Sequence, residues 1–145
     1  MITIIQRVTQ AKVTVNQEDI GVITEGIMAL VAVERHDSER NADRLLERIL
    51  NYRIFADVDG KMNLNLRDIQ GQLLLVPQFT LAANTEKGNR PSFASSAPPE
   101  HARELFYYLQ QQALLQLPDC QFGQFGADMQ VSLINNGPVT FTLRS

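Results

Sequence analysis

Residues 129–143 read MQVSLINNGPVTFTL, and two alternating patterns meet in this stretch at a glycine–proline pair. Apolar and polar residues alternate from Met129 to Leu133 and again from Val139 to Leu143. An alternation with a period of two residues is typical of a strand that buries one face. The stretch therefore predicts two strands joined at Gly137-Pro138. This joint is unusual, because Asn-Gly alone is sufficient for a hairpin turn.

Segments rich in β-branched or alternating apolar residues predict further strands. Residues 26–33 are apolar on both faces, which favours a central position in a sheet. Residues 72–83 form another apolar run, but Pro77 cannot donate a ladder hydrogen bond, so this strand must bulge, end or lie at an edge there. The remaining predicted strands cover residues 2–9, 11–16, 19–24, 54–55 and 62–66, with a turn at 57–60.

Two segments have a helical period instead. The first follows an N-cap at Asp37 or Ser38, and the second begins near Pro98 and Pro99, which suit a first turn. Their apolar stripes are Ala42, Leu45, Leu46, Ile49 and Leu50, then Ala102, Leu105, Phe106 and Leu109. We predict a mixed α/β fold with one domain over residues 1–145. About eight strands form a two-layer β structure, and both helices pack on one side, giving three layers in the order α/β/β.

Composition restricts the function. The net charge of −3 argues against a protein that grips long polyanions, so we expect no DNA partner, although a small site for one end of a nucleic acid is compatible with it. The longest apolar run, residues 26–33, is too short to cross a bilayer, and the first ten residues do not resemble a signal peptide. A single cysteine, Cys120, excludes an internal disulfide. We expect a cytoplasmic protein without a membrane partner.

Common catalytic patterns are absent from the sequence. His36 and His101 have no second ligand at metal-binding spacing, and glycine-rich phosphate loops do not occur, so we expect no metal and no cofactor. The two prolines that interrupt predicted strands, Pro77 and Pro138, remain as candidate functional features. Each admits an ordinary interpretation, as a strand end at Pro77 and a tight turn at Pro138. Each also admits a functional one, as free backbone N–H groups and as a ligand-facing cis bond.

Together, PQFTLA (77–82) and NGPVTF (136–141) resemble the two signature motifs of the D-aminoacyl-tRNA deacylases. The resemblance extends along the chain. It includes IQRVTQAKVTV (5–15), LNYRIFAD (50–57), KMNLNL (61–66), RPSF (90–93) and FGADMQVSL (125–133).

This resemblance implies a homodimeric hydrolase that cuts the ester between a D-amino acid, or glycine, and the terminal adenosine of tRNA. It places a cis bond at Gly137-Pro138, inserted into the partner's active site, where two carbonyls crowd the position of an L side chain. Arg7 would orient this dipeptide and Met129 would line the pocket. Phe79 would lie close to the terminal nucleotide.

Two mechanisms fit the motif at residues 77–82. Thr80 could act as a nucleophile, but residues 76–84 contain no base to activate it. The resemblance also supports catalysis assisted by the terminal 2′-hydroxyl, with backbone N–H groups stabilising the oxyanion. We favour this second mechanism, and we expect the catalytic residues to be Gln78, Phe79 and Thr80.

Two features leave alternatives open. The family usually has serine where this chain has Pro77, and a related class that edits L-alanyl-tRNA carries proline there but alanine at the position of Phe79. Phe79 and Arg7 resemble the D-specific class, and Pro77 leaves the substrate range open. A non-catalytic dimeric nucleic-acid-binding module is the other alternative. Lys87 and Arg90, beyond the first motif, are the candidates for tRNA phosphate contacts, although ordinary loop charges explain them equally well.

Overall fold

The computed structural model describes residues 1–86 and 88–145. The strands are β1 (Ile2–Val15), β2 (Glu18–Ile23), β3 (Gly26–Ala32), β4 (Phe55–Ala56), β5 (Met62–Leu64), β6 (Gln72–Pro77), β7 (Gln121–Phe122) and β8 (Gln130–Arg144). The helices are α1 (Glu39–Asn51) and α2 (Pro99–Gln116), and a 3-10 helix, Phe79–Ala82, follows β6. None of the helices described is long and apolar enough to cross a membrane.

One mixed sheet contains most of the strands. Its order is β2-β1-β3-β6-β7, with β8 also paired to β1, while β4 and β5 form a separate pair. The β1 strand is antiparallel to β2, β3 and β8, whereas β6 is parallel to both β3 and β7. The predicted fold class, with about eight strands and two helices, is confirmed.

Side chains on β3 and β6 explain the three layers. Ile27 and Leu75 belong to a core that contains the buried faces of both helices, whereas Met28 and Leu74 point the other way. The second core consists mainly of strand residues, and its fully or partly buried members include Val8, Ala11, Val13, Val15, Ile23, Val131 and Leu133. Because side chains alternate along a strand, one face of β3 and β6 packs on helices and the other on strands.

Helix α1 agrees with its sequence pattern. It begins after Ser38, whose backbone N–H donates to the Asn41 side chain at 3.0 Å. All five residues of the predicted apolar stripe are buried. In α2 the predicted stripe is buried as well, and Pro99 occupies the first helical position.

Two predicted strand boundaries are wrong. Residues 2–9 and 11–16 are one continuous strand, β1, and the two strands predicted within 129–143 are one strand, β8. Both halves of β8 pair with β1, because Val8 lies opposite Asn135 and Gln6 lies opposite Thr140. Residues 136–139 therefore leave the ladder opposite Arg7, and we call this segment the excursion. Of the alternatives predicted for residues 72–83, the structure has a strand end: β6 stops at Pro77, and the backbone then turns into the 3-10 helix.

Candidate active site

The end of β6 presents two unpaired backbone donors. Pro77 is the last residue of the strand, and the next N–H, that of Gln78, donates to the Val31 carbonyl at 2.7 Å. The N–H groups of Phe79 and Thr80 open the 3-10 helix, where no preceding turn supplies an acceptor. Neither group donates to an acceptor within residues 1–86 or 88–145. Two adjacent exposed N–H groups can bind an oxygen that carries negative charge.

The Thr80 hydroxyl has an amide partner rather than a base. The Gln78 side-chain amide donates to Thr80 Oγ1, and both side chains sit at the surface. An amide NH2 cannot take a proton from the hydroxyl. In the part of the chain that the structure describes, no carboxylate, histidine or lysine hydrogen-bonds to Thr80. The geometry orients the hydroxyl but does not activate it.

An apolar cavity lies beside this strand end. Its volume is about 250 Å³, and its lining residues are Pro77, Phe79, Ala97, Pro99, Ala102, Phe125 and Gly126. The Phe79 ring is 57% exposed, and its centroid lies 5.2 Å from that of Phe93. The Arg103 guanidinium lies 5.7 Å from the centre of the Phe125 ring. A flat group with apolar faces fits such a cavity, since aromatic rings stack on rings.

The sequence motif predicted a role for Phe79 but none for Phe93 and Phe125. Phe93 and Phe125 stand in RPSF and FGADMQVSL, two segments that carried the family resemblance. The available signal was an aromatic residue within a loop rich in proline, serine or glycine. Its position beside Phe79 depends on how distant segments pack, which a local pattern does not reveal.

The excursion in β8 is the second region of interest. Its Gly137-Pro138 peptide bond is cis, and both residues are exposed. Gly137 has a φ of +136°, a conformation that L side chains rarely adopt. The Val139 N–H donates to the Asn135 side chain at 3.3 Å across the base of the excursion.

Arg7 lies directly beneath the excursion. Its Nε donates to the Asn136 carbonyl at 2.9 Å, and its Nη1 donates to the Ile54 carbonyl at 2.6 Å. A Cβ atom on Gly137 would lie 3.0 Å from Arg7 Nη2. Hydrogen bonds from a charged group are stronger than neutral ones, so Arg7 ties the excursion to the loop that follows α1.

The predicted site residues form two groups. Gln78, Phe79 and Thr80 are together at the end of β6, while Arg7, Gly137 and Pro138 are together at the excursion. Met129 belongs with the first group, because a Cβ on Gly123 would lie 3.0 Å from Met129 Sδ and 3.1 Å from Pro77 Cδ. Among the described residues, no hydrogen bond joins the two groups. Arg90 is exposed in the loop beyond the 3-10 helix, and Lys87 lies outside the described residues.

Other reactive side chains are occupied or buried. The His101 ring lies 2.9 Å from the Asp37 carbonyl, and His36 is exposed. Burial, aided by the charge of Asp119, raises the pKa of Cys120 to about 12. The part of the chain described here contains no group of three His, Cys, Asp or Glu residues able to hold a metal ion.

Comparisons with known proteins identify the family. Residues 4–144 match the family described as D-Tyr-tRNA(Tyr) deacylase. The chain belongs to this deacylase family. A D-aminoacyl-tRNA deacylase of Haemophilus influenzae (strain PittEE) is 57% identical over 143 residues, covering 99% of each chain. The deacylase of Nitrosococcus oceani is 56% identical over 144 residues, covering 99% of this chain and 93% of the relative.

Solved structures agree with this family in fold. The c-Myc DNA Unwinding Element Binding Protein superposes with a TM-score of 0.95 and 38% identity, covering 100% of this chain and 99% of the other. A protein described as a probable eukaryotic D-amino acid tRNA deacylase superposes with a TM-score of 0.85, covering 98% and 97% of the two chains. At 16% identity, that second likeness concerns the fold alone.

Membership in the deacylase family defines the chemistry at a coarse level. The chain is a hydrolase that deacylates D-aminoacyl-tRNA, and an aminoacylated tRNA is its substrate.

Proposed function

We propose that this deacylase is a chiral proofreading enzyme that accepts D-aminoacyl and glycyl esters and rejects L-aminoacyl esters at the excursion. The observation that carries the proposal is the pair of Arg7 hydrogen bonds, at 2.9 and 2.6 Å, which anchor the excursion at its base. An anchored backbone can exclude a side chain by steric contact. Such exclusion needs no pocket that fits a D side chain, so many D-amino acids pass. Glycine passes too, because it has no side chain to exclude.

The proposal requires a homodimer in which the excursion of one protomer reaches the β6 end of its partner. Two observations support this arrangement. Gly137 and Pro138 are exposed, and within the described chain no hydrogen bond connects them to Gln78, Phe79 or Thr80. The excursion can exclude an L side chain only if it lies next to the ester bond. The partner's excursion supplies that position without any movement within one protomer. An aminoacyl-tRNA substrate also favours the cytoplasmic location expected from the sequence.

Catalysis follows from the free donors at the β6 end. Water adds to the ester carbonyl, and the N–H groups of Phe79 and Thr80 stabilise the resulting oxyanion. Loss of one such donor costs about 3 kcal/mol in known hydrolases, so a site built from backbone is competent. The terminal 2′-hydroxyl positions the water. The bond from the carbonyl carbon to the ribose 3′-oxygen then breaks, the 3′-oxygen takes a proton, and D-amino acid and tRNA leave.

The terminal adenine has a place in the same scheme. The cavity of about 250 Å³ beside Phe79 offers aromatic walls from Phe79 and Phe125. Bases stack on aromatic side chains with a gain of about 1–3 kcal/mol. Arg90 and Lys87 remain candidates for phosphate contacts beyond the adenosine.

A single comparison tests the function. Pure protein is incubated with D-Tyr-tRNA, Gly-tRNA, L-Ala-tRNA and L-Tyr-tRNA, and release of each amino acid is followed. We expect release from the D-tyrosyl and glycyl esters and none above the buffer blank from the L-tyrosyl ester. D-Tyr-tRNA with a 2′-deoxy terminal adenosine should be nearly inert. Rapid hydrolysis of that deoxy substrate would refute the assistance by the 2′-hydroxyl.

Two alternatives are decided by the same assay. Pro77, in place of the usual serine, favours an enzyme for L-alanyl-tRNA, and release from L-Ala-tRNA alone would establish that function. The solved relative named for binding a DNA unwinding element favours a nucleic-acid-binding module. No release from any ester, together with retained binding of nucleic acid, would establish the module.

A further inference from the structure

Helix α1 carries a row of arginines on its exposed surface. Arg40, Arg44 and Arg48 follow one another at intervals of four residues, so they share one face of the helix. At 1.5 Å per residue their attachment points are about 6 Å apart along the axis. Arg40 is exposed, Arg44 is 60% exposed and Arg48 is half-buried. Three cations on one face of a helix contrast with the net charge of −3 of the whole chain.

Two of the three acidic side chains of α1 lie on the side away from the arginines, while Glu47 lies beside Arg44 and Arg48. Asp43 accepts a hydrogen bond from the Tyr108 hydroxyl of α2 at 3.0 Å, which places the acidic side next to α2. Glu39 lies on that side too, because it lines a cavity with His101 and Glu104. Arg48 instead donates to the Arg144 carbonyl, which places the arginine side next to β8.

A fourth arginine, Arg35, lies before the start of α1. It lines a cavity of about 490 Å³ together with His36 and Ser95. Two carboxylates also line this cavity, but both are already neutralised. Glu34 pairs with Arg144 at 3.1 Å, and Asp37 pairs with the terminal ammonium of Met1.

The four arginines differ in how their own charge is balanced. Arg35 and Arg40 have no carboxylate within ion-pair distance among the described residues. Arg44 pairs with Glu47 at 2.5 Å, but both side chains are about 60% exposed. An exposed pair of this kind is weak, so Glu47 exchanges readily for another anion.

Segments that flank the row contact residues close to the two candidate site regions. At one end the Arg35 N–H donates to the Ser95 carbonyl at 3.0 Å, and Ser95 Oγ donates to the carbonyl of Ala82, the last residue of the 3-10 helix. At the other end the Tyr52 ring lies 5.4 Å from Phe141 of β8. An RNA that enters either region from this side meets the arginines.

We propose that Arg35, Arg40, Arg44 and Arg48 bind backbone phosphates of the acceptor arm of the tRNA. This inference rests on the proposed function, since it assigns a surface to the same substrate. Guanidinium groups bind phosphates in a planar, two-pronged geometry and read no sequence. The row therefore strengthens binding of many tRNAs alike, and it plays no part in the choice of amino acid.

The test compares two double variants with the same change in net charge. R40Q/R44Q removes two arginines of the row, and K61Q/R67Q removes two exposed cations near β5. Each variant is assayed with D-Tyr-tRNA and with the small ester 3′-O-D-tyrosyl-adenosine, over a range of salt concentrations. Binding of uncharged tRNA is measured in parallel, and thermal unfolding verifies that both variants are folded.

We expect R40Q/R44Q to lower kcat/KM for D-Tyr-tRNA about tenfold at low salt, with less than about a twofold change for the small ester. The slope of log affinity against log salt should become shallower by about one unit for each phosphate that is no longer bound. An equal loss on both substrates, or a result equal to that of K61Q/R67Q, would overturn the proposal. If the wild type hydrolyses neither substrate, the proposed function fails. The measurement of tRNA binding then tests the arginine surface on its own. Weaker binding by R40Q/R44Q would support the surface, and unchanged binding would refute it.

Discussion

Proline interrupts a strand at the end of β6 and again within β8, and the backbone responds differently in the two places. After Pro77 the chain leaves the sheet, and the next turn starts with two N–H groups that have no acceptor within residues 1–86 or 88–145. Around Pro138 the chain leaves the ladder only for residues 136–139 and then pairs again with β1. A strand that ends frees donors that can bind charge. A strand that resumes holds a projecting segment at both of its ends, which suits steric selection.

This difference predicts that selectivity resides at the excursion. Gly137→Ala places a Cβ 2.8 Å from Val139 Cγ2 and 3.0 Å from Arg7 Nη2, at a φ of +136°. Forcing such a conformation costs about 1–3 kcal/mol, so the excursion must shift. We expect the ratio of kcat/KM for D-Tyr-tRNA over L-Tyr-tRNA to fall about 10- to 100-fold. Gly60→Ala is the control, because its φ is +76° but its Cβ meets open space. Equal selectivity in both variants would contradict the steric role.

Removal of the anchor should have the next largest effect. Arg7→Met keeps the apolar stem but leaves the carbonyls of Asn136 and Ile54 without their donors. Hydrogen bonds from a charged group contribute about 1.5–3 kcal/mol, and we expect a loss of that size in the free energy of unfolding, with weaker rejection of L-Tyr-tRNA. Urea unfolding measures it. Lys12→Met, which breaks an exposed pair with Asp19, should cost clearly less than the loss of Arg7. Comparable losses would show that Arg7 is an ordinary surface cation.

At the β6 end, backbone N–H groups should contribute more to catalysis than the Thr80 side chain. Thr80→Ala removes a hydroxyl that accepts from Gln78 but retains the N–H groups of Phe79 and Thr80. We expect kcat for D-Tyr-tRNA to fall less than about tenfold, well below the loss typical of a missing nucleophile. Gln78→Ala should behave similarly, since it acts through the same hydroxyl. If Thr80→Ala binds substrate and shows no turnover, Thr80 is the nucleophile and the assisted mechanism is wrong.

Outside both regions, the Cys120 thiol should be unreactive in the folded protein. Burial raises the pKa of Cys120 to about 12, so its thiol stays protonated at pH 8 and should react with a disulfide reagent only after unfolding. An unfolded cysteine titrates near pH 8.5, so the free energy of unfolding should fall as pH rises from about 8.5 towards 12. Cys120→Ala should leave kcat/KM within about twofold of the wild type, because a buried thiol of this kind takes no part in the chemistry. Rapid labelling of the folded protein at pH 8 would contradict this.

Local patterns in the sequence specify the helices of this fold well. The stripe from Ala42 to Leu50 and the cap at Ser38 depend on neighbours within a few residues, and both agree with the structure. Pro77 likewise marks the end of β6 because a missing N–H is a local property. The alternation on either side of residues 136–139 also indicated strand structure correctly.

Those local patterns do not show whether two strand segments are continuous or which distant segments pack against each other. Whether Asn135 and Thr140 belong to one strand depends on β1, which pairs with both halves. The contact between Arg7 and the Ile54 carbonyl joins residues far apart in sequence, as does that between Phe79 and Phe93. Periodicity carries information about burial and local conformation but none about which distant segment supplies the partner.

The pairing of β1 with β8 has a consequence for the order of events during synthesis. Ile2 lies opposite Arg144, so the start of β1 receives its second neighbouring strand from a segment that is synthesised much later. Contacts so distant in sequence slow folding. A nascent chain that has reached residue 129 already contains the β6 end but still lacks the excursion. We expect the excursion to take its place only after the β6 end has formed.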